Sequence, residues 1–507
     1  MGLLQLPGEV LDEIIDFAVP DGLENFALSC KLIYARASSQ IFHHNRRTRI
    51  GRYAAQPSND RGKPLLLLFE ISRDPSVADY IDVLNLRNPN PDDNASGSTQ
   101  LTDEFRMEEE AMDGIKNMVT QSAWLESAGV NVEDWWDAMM DEDETVDDED
   151  DFEGVPCTVV SLLSQLPNLR SLQLPETWVQ FRPESALTDR ERQLLYVLDA
   201  LVAYSNAGAK GVGRPLQHLE TLLPFSPSGY EARAALQSVE PFLALKGLRE
   251  LFGVALIAVD DSYTGIPFRW RSDHAISSLR RIELAHCCID ADGISEFLSR
   301  TPQLEIFRYS HETKWHGCEH DWNAGAFIGA IARHCGATIT EMAITIDEMY
   351  GDIINGASSF LAFNNLRTLE VDVQIFCGPP LESGQRRGLA AMVPDGETPW
   401  TEHDIPCIAS MLPPSIEHMV INTDFPQSEA QALRSLLKNI PQQQAERLPQ
   451  LQTVIIRQFN DTSGEEVFGI PGHVHVVDGN AELKLQRSML PLWKRNFSTR
   501  VGGIAYT

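Results

Sequence analysis

Leu166-Pro167-Asn168-Leu169-Arg170-Ser171-Leu172-Gln173-Leu174 is the stretch from which the architecture can be read. Leu169, Leu172 and Leu174 make the pattern apolar-x-x-apolar-x-apolar, and a turn signal, Pro167-Asn168, precedes it. Side chains alternate along a strand, so Leu172 and Leu174 face one side while Ser171 and Gln173 face the other.

The pattern returns along the chain. Copies stand at Ile81/Leu84/Leu86, Leu279/Ile282/Leu284, Leu304/Phe307/Tyr309, Ile339/Met342/Ile344, Leu366/Leu369/Val371, Ile416/Met419/Ile421 and Leu451/Val454/Ile456. Leu219/Leu222 and Leu248/Leu251 lack the last apolar residue. Between copies come helical stretches such as Ile294 to Ser299, Phe327 to His334 and Glu429 to Leu437. A short strand, a turn and a returning helix are the logic of a leucine-rich repeat, and Cys287 sits where such repeats place Asn or Cys. The uneven spacing predicts an irregular solenoid, so the fold class expected is α/β. The alternative from periodicity alone is a set of unrelated buried strands in an α/β domain.

The outward residues of the copies form the predicted target-binding surface. They are Ser171, Gln173, Arg281, Glu283, Ile306, Arg308, Thr368, Glu370, His418, Val420, Thr453 and Ile455. Their mixed chemistry fits a protein partner.

At the other end of the chain, Leu6, Val10, Ile14 and Phe17 have helical spacing, and Pro7 stands where a helix tolerates it best. Pro20-Asp21-Gly22 breaks the chain, and a second apolar set follows, with Leu23, Phe26, Ala27, Leu28, Leu32, Ile33 and Tyr34. Helices this short bury little surface alone, so part of the apolar set is expected to face a partner.

Leu6-Pro7-x-Glu9-Val10-Leu11-x-x-Ile14-Ile15, followed by Leu23-x-x-Phe26-Ala27-Leu28-x-Cys30-Lys31-x-x-Tyr34, resembles the F-box, the adaptor-binding module of Skp–cullin–F-box ubiquitin ligases. The likeness covers about Leu4 to Asn45. It agrees best with the variant common in filamentous fungi, in which Tyr34 stands where tryptophan is usual elsewhere. The phrase Leu166 to Leu174 is similar to one common in fungal F-box proteins with repeats. The resemblance implies a non-catalytic substrate receptor without a cofactor. Its partners would be a Skp-type adaptor, through it a cullin–RING ligase, and a target protein. The adaptor would meet Leu6, Pro7, Val10, Leu11, Ile14, Leu23, Leu28 and Tyr34, some of which must instead pack the helices together. The second reading is a repeat scaffold acting outside a ligase.

The organisation expected is an F-box at 1–50, a helical linker and first strand at 51–87, an acidic insert at 88–154 and the solenoid at 155–507. The insert carries a predicted helix from Thr102 to Leu125, tryptophans Trp124, Trp135 and Trp136 suited to partial packing, and a self-repelling end at 141–153. Between Asp103 and Glu153 stand 20 acidic and 2 basic residues, which leaves −14 of the total charge of −32 to the rest of the chain. The acidic balance argues against a general nucleic-acid binder. The run reads as a solvated loop. It would also suit steering of a basic partner, or phosphorylation at Thr145. The start of the F-box pattern at Leu6, the short apolar run Pro64 to Phe69 and eight scattered cysteines predict a cytosolic or nuclear protein with reduced thiols and no membrane span.

Catalytic and metal signals are weak. His311, His316, Cys318 and His320, with His334 and Cys335 beyond, form one donor-rich stretch, but their spacing departs from that of structural zinc sites. A metal-dependent enzyme built there is the third hypothesis. Gly208-x-x-Gly211-x-Gly213 precedes Arg214-Pro215 and reads as a connector, not a phosphate loop. No nucleophile–base motif is found, and the chain is read as a protein without an active site.

Overall fold

The computed structural model of the chain describes residues 3–58, 62–87, 109–144, 156–175, 178, 187–207, 213–223, 233–260, 266–313, 321–351, 353, 355–356, 359–376, 407–423, 440–458, 482–487 and 490–501. It is an α/β protein of parallel strands and helices. Two compact units are formed, Met1–Trp178 with Thr188–Glu220, and Val179–Leu187 with Thr221–Thr507.

The first unit opens with α1 (Gly8–Phe17), α2 (Leu23–Ala27), α3 (Lys31–Arg36) and the long α4 (Ser38–Ala55). Leu11, Ile15, Leu23, Ala27, Ile33 and Ala37 close a small core among them, with Leu6, Phe26 and Ile41 packed at its edge. Arg36 donates two hydrogen bonds to the Asp12 carboxylate and so ties α3 to α1. Next comes α5 (Lys63–Arg73), whose apolar run is buried almost throughout. Its first residue, Lys63, is itself buried, and its ammonium donates to the carbonyls of Ala54, Gln56 and Asn85. Two of these carbonyls end α4 and the third belongs to β1 (Val83–Asn85), so one cation caps a helix and pins a strand.

Within the insert, α6 (Glu109–Thr120), α7 (Ala123–Ser127) and α8 (Val132–Glu144) form. The helix expected from Thr102 to Leu125 is thus broken at Gln121-Ser122, and residues 102–108 lie outside the described set. The tryptophans do more than pack partially. Trp124, Trp135 and Trp136 are all buried. Trp135 meets Trp124 edge-on and donates to Ser161 of α9 (Cys157–Leu163) at 2.9 Å. The insert therefore supplies core to this unit. Of the acidic end, Asp141 to Glu144 finish α8; Thr145 and residues 146–153 lie outside the described residues. β2 (Ser171–Gln173) pairs with β1 in parallel, Leu84 opposite Leu172. α10 (Asp189–Asn206), unforeseen in the sequence reading, starts with a capping box in which Thr188 and Glu191 satisfy each other's backbone N–H.

In the second unit, β3 (Thr221–Leu223), β5 (Glu250–Val254), β7 (Arg281–Ile289), β8 (Ile306–His311), β9 (Glu341–Ile346), β10 (Thr368–Asp372), β11 (His418–Thr423), β12 (Thr453–Gln458) and β13 (Glu482–Arg487) lie side by side, all parallel. The register reproduces the repeat. Leu251, Ile282, Phe307, Met342, Leu369, Met419 and Val454 are successive partners, as are Leu284, Tyr309, Ile344, Val371, Ile421 and Ile456. Each such apolar row is buried. β13 was not anticipated, because residues 480–485 lack the first apolar position. Short β4 (Ala234–Ala235) and β6 (Leu256–Ala258) form a second pairing with the end of β7. α12 (Ala291–Leu298) and α13 (Ala324–Cys335) return between strands and pack on each other. The shorter α11 (Glu240–Leu243), α14 (Val373–Phe376), α15 (Ile408–Met411) and α16 (Ile440–Arg447) serve as connectors. Residues 429–437 lie outside the described set. Last comes α17 (Leu492–Arg500).

Candidate functional site

Two surfaces present chemistry. The first lies on α1 to α3. Leu11 and Ile15 point α1 into the core, which turns the neighbouring stripe Val10, Ile14 and Phe17 outward. Phe17 is 88% exposed and Leu28 77%. Pro7, Val10, Leu32, Tyr34 and Phe42 are exposed as well. Among the expected adaptor residues, Pro7, Val10, Leu28 and Tyr34 are therefore open to a partner, while Leu6 and Ile14 are half-buried. Leu11 and Leu23 are core residues and cannot offer direct contact, because the small core already consumes their side chains. Phe17 is the most exposed large apolar residue the adaptor set omitted; it continues the stripe of Val10 at a spacing of seven and was visible as such in the sequence.

The second surface is the polar face of β5 to β12. It was expected to be open, and it is not. Among the target-binding candidates, Gln173, Glu283, Glu370 and Val420 are buried, while Ser171, Arg281, Ile306, Arg308, Thr368, His418, Thr453 and Ile455 are half-buried. Part of the reason in the second unit is ion pairing along and across the strands. Arg281 bonds Glu250 and Glu283, and Arg308 bonds Glu283 and Glu341, giving a ladder of alternating charge over β5, β7, β8 and β9. Farther along, Arg457 donates to Asn422, which donates to Glu370, and His418 pairs with Thr453.

The rest of the reason is α17. Its Trp493, Phe497 and Val501 pack against Phe252, Val254, Ala285 and Ala343 of the strand face. The Glu370 carboxylate accepts from the backbone N–H groups of Leu492 (2.7 Å) and Trp493 (3.0 Å), satisfying two orphan donors at the helix start. Burial pushes Glu370 up despite these bonds. Lys494, fully buried, reaches the Asp347 carboxylate, with its Nζ 3.3 Å from His286 Nε2.

His286, Glu312 and Asp347 converge beneath α17, with the His286 Nδ1 between the two carboxylates. Sequence reasoning missed this trio. Its one signal was an acid three residues after the last apolar position in two successive copies, Tyr309 then Glu312 and Ile344 then Asp347. His286 stands at a bulge in β7 with φ of 56°, fixed by its N–H to Ser310 Oγ and by Arg233 donating to its carbonyl. Arg233 also pairs with Glu312. Burial alone would raise Asp347, but the charges of His286 and Lys494 outweigh it and hold the carboxyl well below its usual range. Burial likewise lowers Lys494, with Asp347 opposing. The three donors lie close enough to hold a cation, yet Lys494 and Arg233 already supply positive charge there.

The donor-rich stretch singled out in the sequence divides differently. His311 stacks on Trp322 at 4.2 Å within an aromatic cluster and shares a hydrogen bond with the Tyr309 hydroxyl. His334 pairs with Ser295, and Cys335, pushed up to about 11 by burial, lies against Thr301. These two are not brought to His311 as a donor group among the described residues, and His316, Cys318 and His320 lie outside them. Of the glycine-rich connector only Gly213 is described. Cys287 donates to Ala285 O and accepts from Leu256 N, so its thiol holds the strand-end turn together. No helix among the described residues is long and apolar enough to cross a membrane.

No family model matches the chain, and no curated protein is similar enough to stand as a relative.

Proposed function

We propose that this chain is a non-catalytic substrate receptor of a Skp–cullin–F-box type ubiquitin ligase, with an N-terminal F-box and an irregular leucine-rich repeat solenoid. The observation that carries the reading is the outward stripe of Val10 and Phe17, with Leu28 and Tyr34 also exposed, beside a helical core that closes without them. Large apolar side chains held in water on a folded helical segment suit a protein interface. The parallel strands in repeat register support the solenoid. In this reading the F-box holds the adaptor and the second unit holds the target. A conjugating enzyme brought by the cullin–RING arm then transfers ubiquitin to a target lysine. The chain's contribution is effective concentration, which needs no catalytic residue of its own. The cytosol or nucleus is the expected address.

Co-purification with a Skp-type adaptor tests this. The intact chain should retain the adaptor, and a Val10→Glu, Phe17→Glu variant with unchanged circular dichroism should lose it. Failure of the intact chain to bind refutes the F-box reading. Adaptor binding without cullin recruitment would instead indicate a scaffold acting outside a ligase.

A further inference from the structure

The face formed by β5, β7, β8, β9 and β10 is built around a helix. Three acids on it serve α17, two at its first turn and one at its last. Glu370 on β10 caps its first N–H groups, Asp347 just after β9 takes Lys494, and Glu250 on β5 takes Arg500 at 3.2 Å. The dimensions agree. From β10 to β5 is four strand spacings, about 19 Å. Leu492 to Arg500 rises about 12 Å, and the long Arg500 side chain spans the remainder. Between the acids lie apolar seats: Phe252 meets Phe497 at 6.1 Å, and Trp493 donates to Thr345 at 3.2 Å. Trp493, Lys494, Phe497 and Val501 face inward and are buried, whereas Arg495, Asn496 and Thr499 face out.

We infer that this face is a receptor groove for an aromatic–basic helix, that α17 is its resident occupant, and that a target segment of pattern aromatic-Lys-x-x-aromatic-x-x-x-apolar enters by replacing α17. The inference rests on the second unit being the target-holding unit. Charge complementarity selects the partner's chemistry, because every acid that α17 engages meets a positive group or a helix N-terminus. An acidic or uncharged helix would take the ammonium from Asp347 and leave Glu250 with Arg281 alone.

The test uses full-length chains and a fluorescein-labelled peptide of residues 490–501, read by anisotropy. In the wild type the tethered α17 competes at an effective concentration on the order of millimolar. A Trp493→Ala, Lys494→Glu chain, whose own helix no longer seats, should bind the peptide at least tenfold more tightly than wild type. A peptide carrying Lys494→Glu should not bind. Equal binding by both chains, or no binding by a variant that keeps its circular dichroism, overturns the inference. Should the double variant not fold, Arg500→Glu at the exposed end of α17 decides, since it must raise peptide binding in the same direction and an unchanged affinity refutes the groove. Adaptor co-purification by the same chains reports the F-box reading separately, so the two can fail independently.

Discussion

Phe17→Ala separates docking from folding at the N-terminal helices. The side chain is 88% exposed, so its truncation should alter stability by no more than about 0.5 kcal/mol. Fully burying a phenylalanine stabilises by about 1.5–3 kcal/mol, so its loss from an interface at about 2 kcal/mol predicts roughly a thirtyfold rise in Kd. Leu11→Ala is the opposite case. Leu11 is 2% exposed and central to a small core, so the change should cost about 2–5 kcal/mol of stability. Isothermal titration of each full-length variant with the Skp-type adaptor, beside thermal unfolding, reads both effects. Adaptor affinity within twofold of wild type for Phe17→Ala would refute the stripe as a docking surface, and an unchanged unfolding temperature for Leu11→Ala would refute the core assignment.

Gly51→Ala should destabilise the first unit by about 1–3 kcal/mol, because a Cβ there would stand 2.4 Å from the Tyr80 carbonyl oxygen, and chemical denaturation measures it. Cys287, pushed up to about 12 by burial, should resist alkylation at pH 8, while among the described cysteines half-buried Cys30 and Cys407 react first in a mass-resolved iodoacetamide time course. Stability against pH should separate two carboxylates of the strand face. Asp347 is held low, so its contribution is present above the ordinary carboxylate range and lost only as pH falls below it, and Asp347→Asn should lose its deficit there. Glu370 is raised, so its contribution is present below the ordinary range and lost as pH rises through its folded value; Glu370→Gln should therefore gain on wild type as pH rises above the ordinary carboxylate range.

The strands were legible because their signal is local. An apolar-x-x-apolar-x-apolar copy states both the strand and the face it buries, and partners such as Ile282 and Phe307 fall into register from the pattern alone. Helix α1 was legible, but its polarity was not. The spacing of Leu6, Val10, Ile14 and Phe17 marks an apolar stripe equally well for a core or a partner, and only the structure shows Leu11 and Ile15 taking the core instead. The strand face was misjudged for a different reason. Alternation correctly sends Glu283 and Glu370 away from the apolar rows, yet what covers them comes from neighbouring strands and, for Glu370, from α17 more than a hundred residues later. Apart from Arg281 beside Glu283, no short window on the sequence contains both halves of such a contact. Separation along the chain also hid His286, Glu312 and Asp347, which belong to three successive copies of the strand pattern.

The pairings on the strand face divide by what α17 contributes. Glu283 lies between Arg281 and Arg308, both on strands, and its partners stay whether or not the helix is seated. Asp347 has the half-buried His286 beside it, but its ammonium partner comes from α17. Glu370 loses two N–H donors if the helix leaves, and Glu250 keeps Arg281 while losing Arg500. Departure therefore returns Asp347 and Glu370 to water, where hydration replaces much of what the helix supplied, and burial no longer penalises Lys494. The electrostatic part of docking is thus a near-balanced exchange, and the apolar seats for Trp493, Phe497 and Val501 supply most of the net affinity. A face held by permanent ion pairs alone would be rigid and closed. This one keeps its rigid ladder on β7 and β8 and reserves the acids at its edges for a helix.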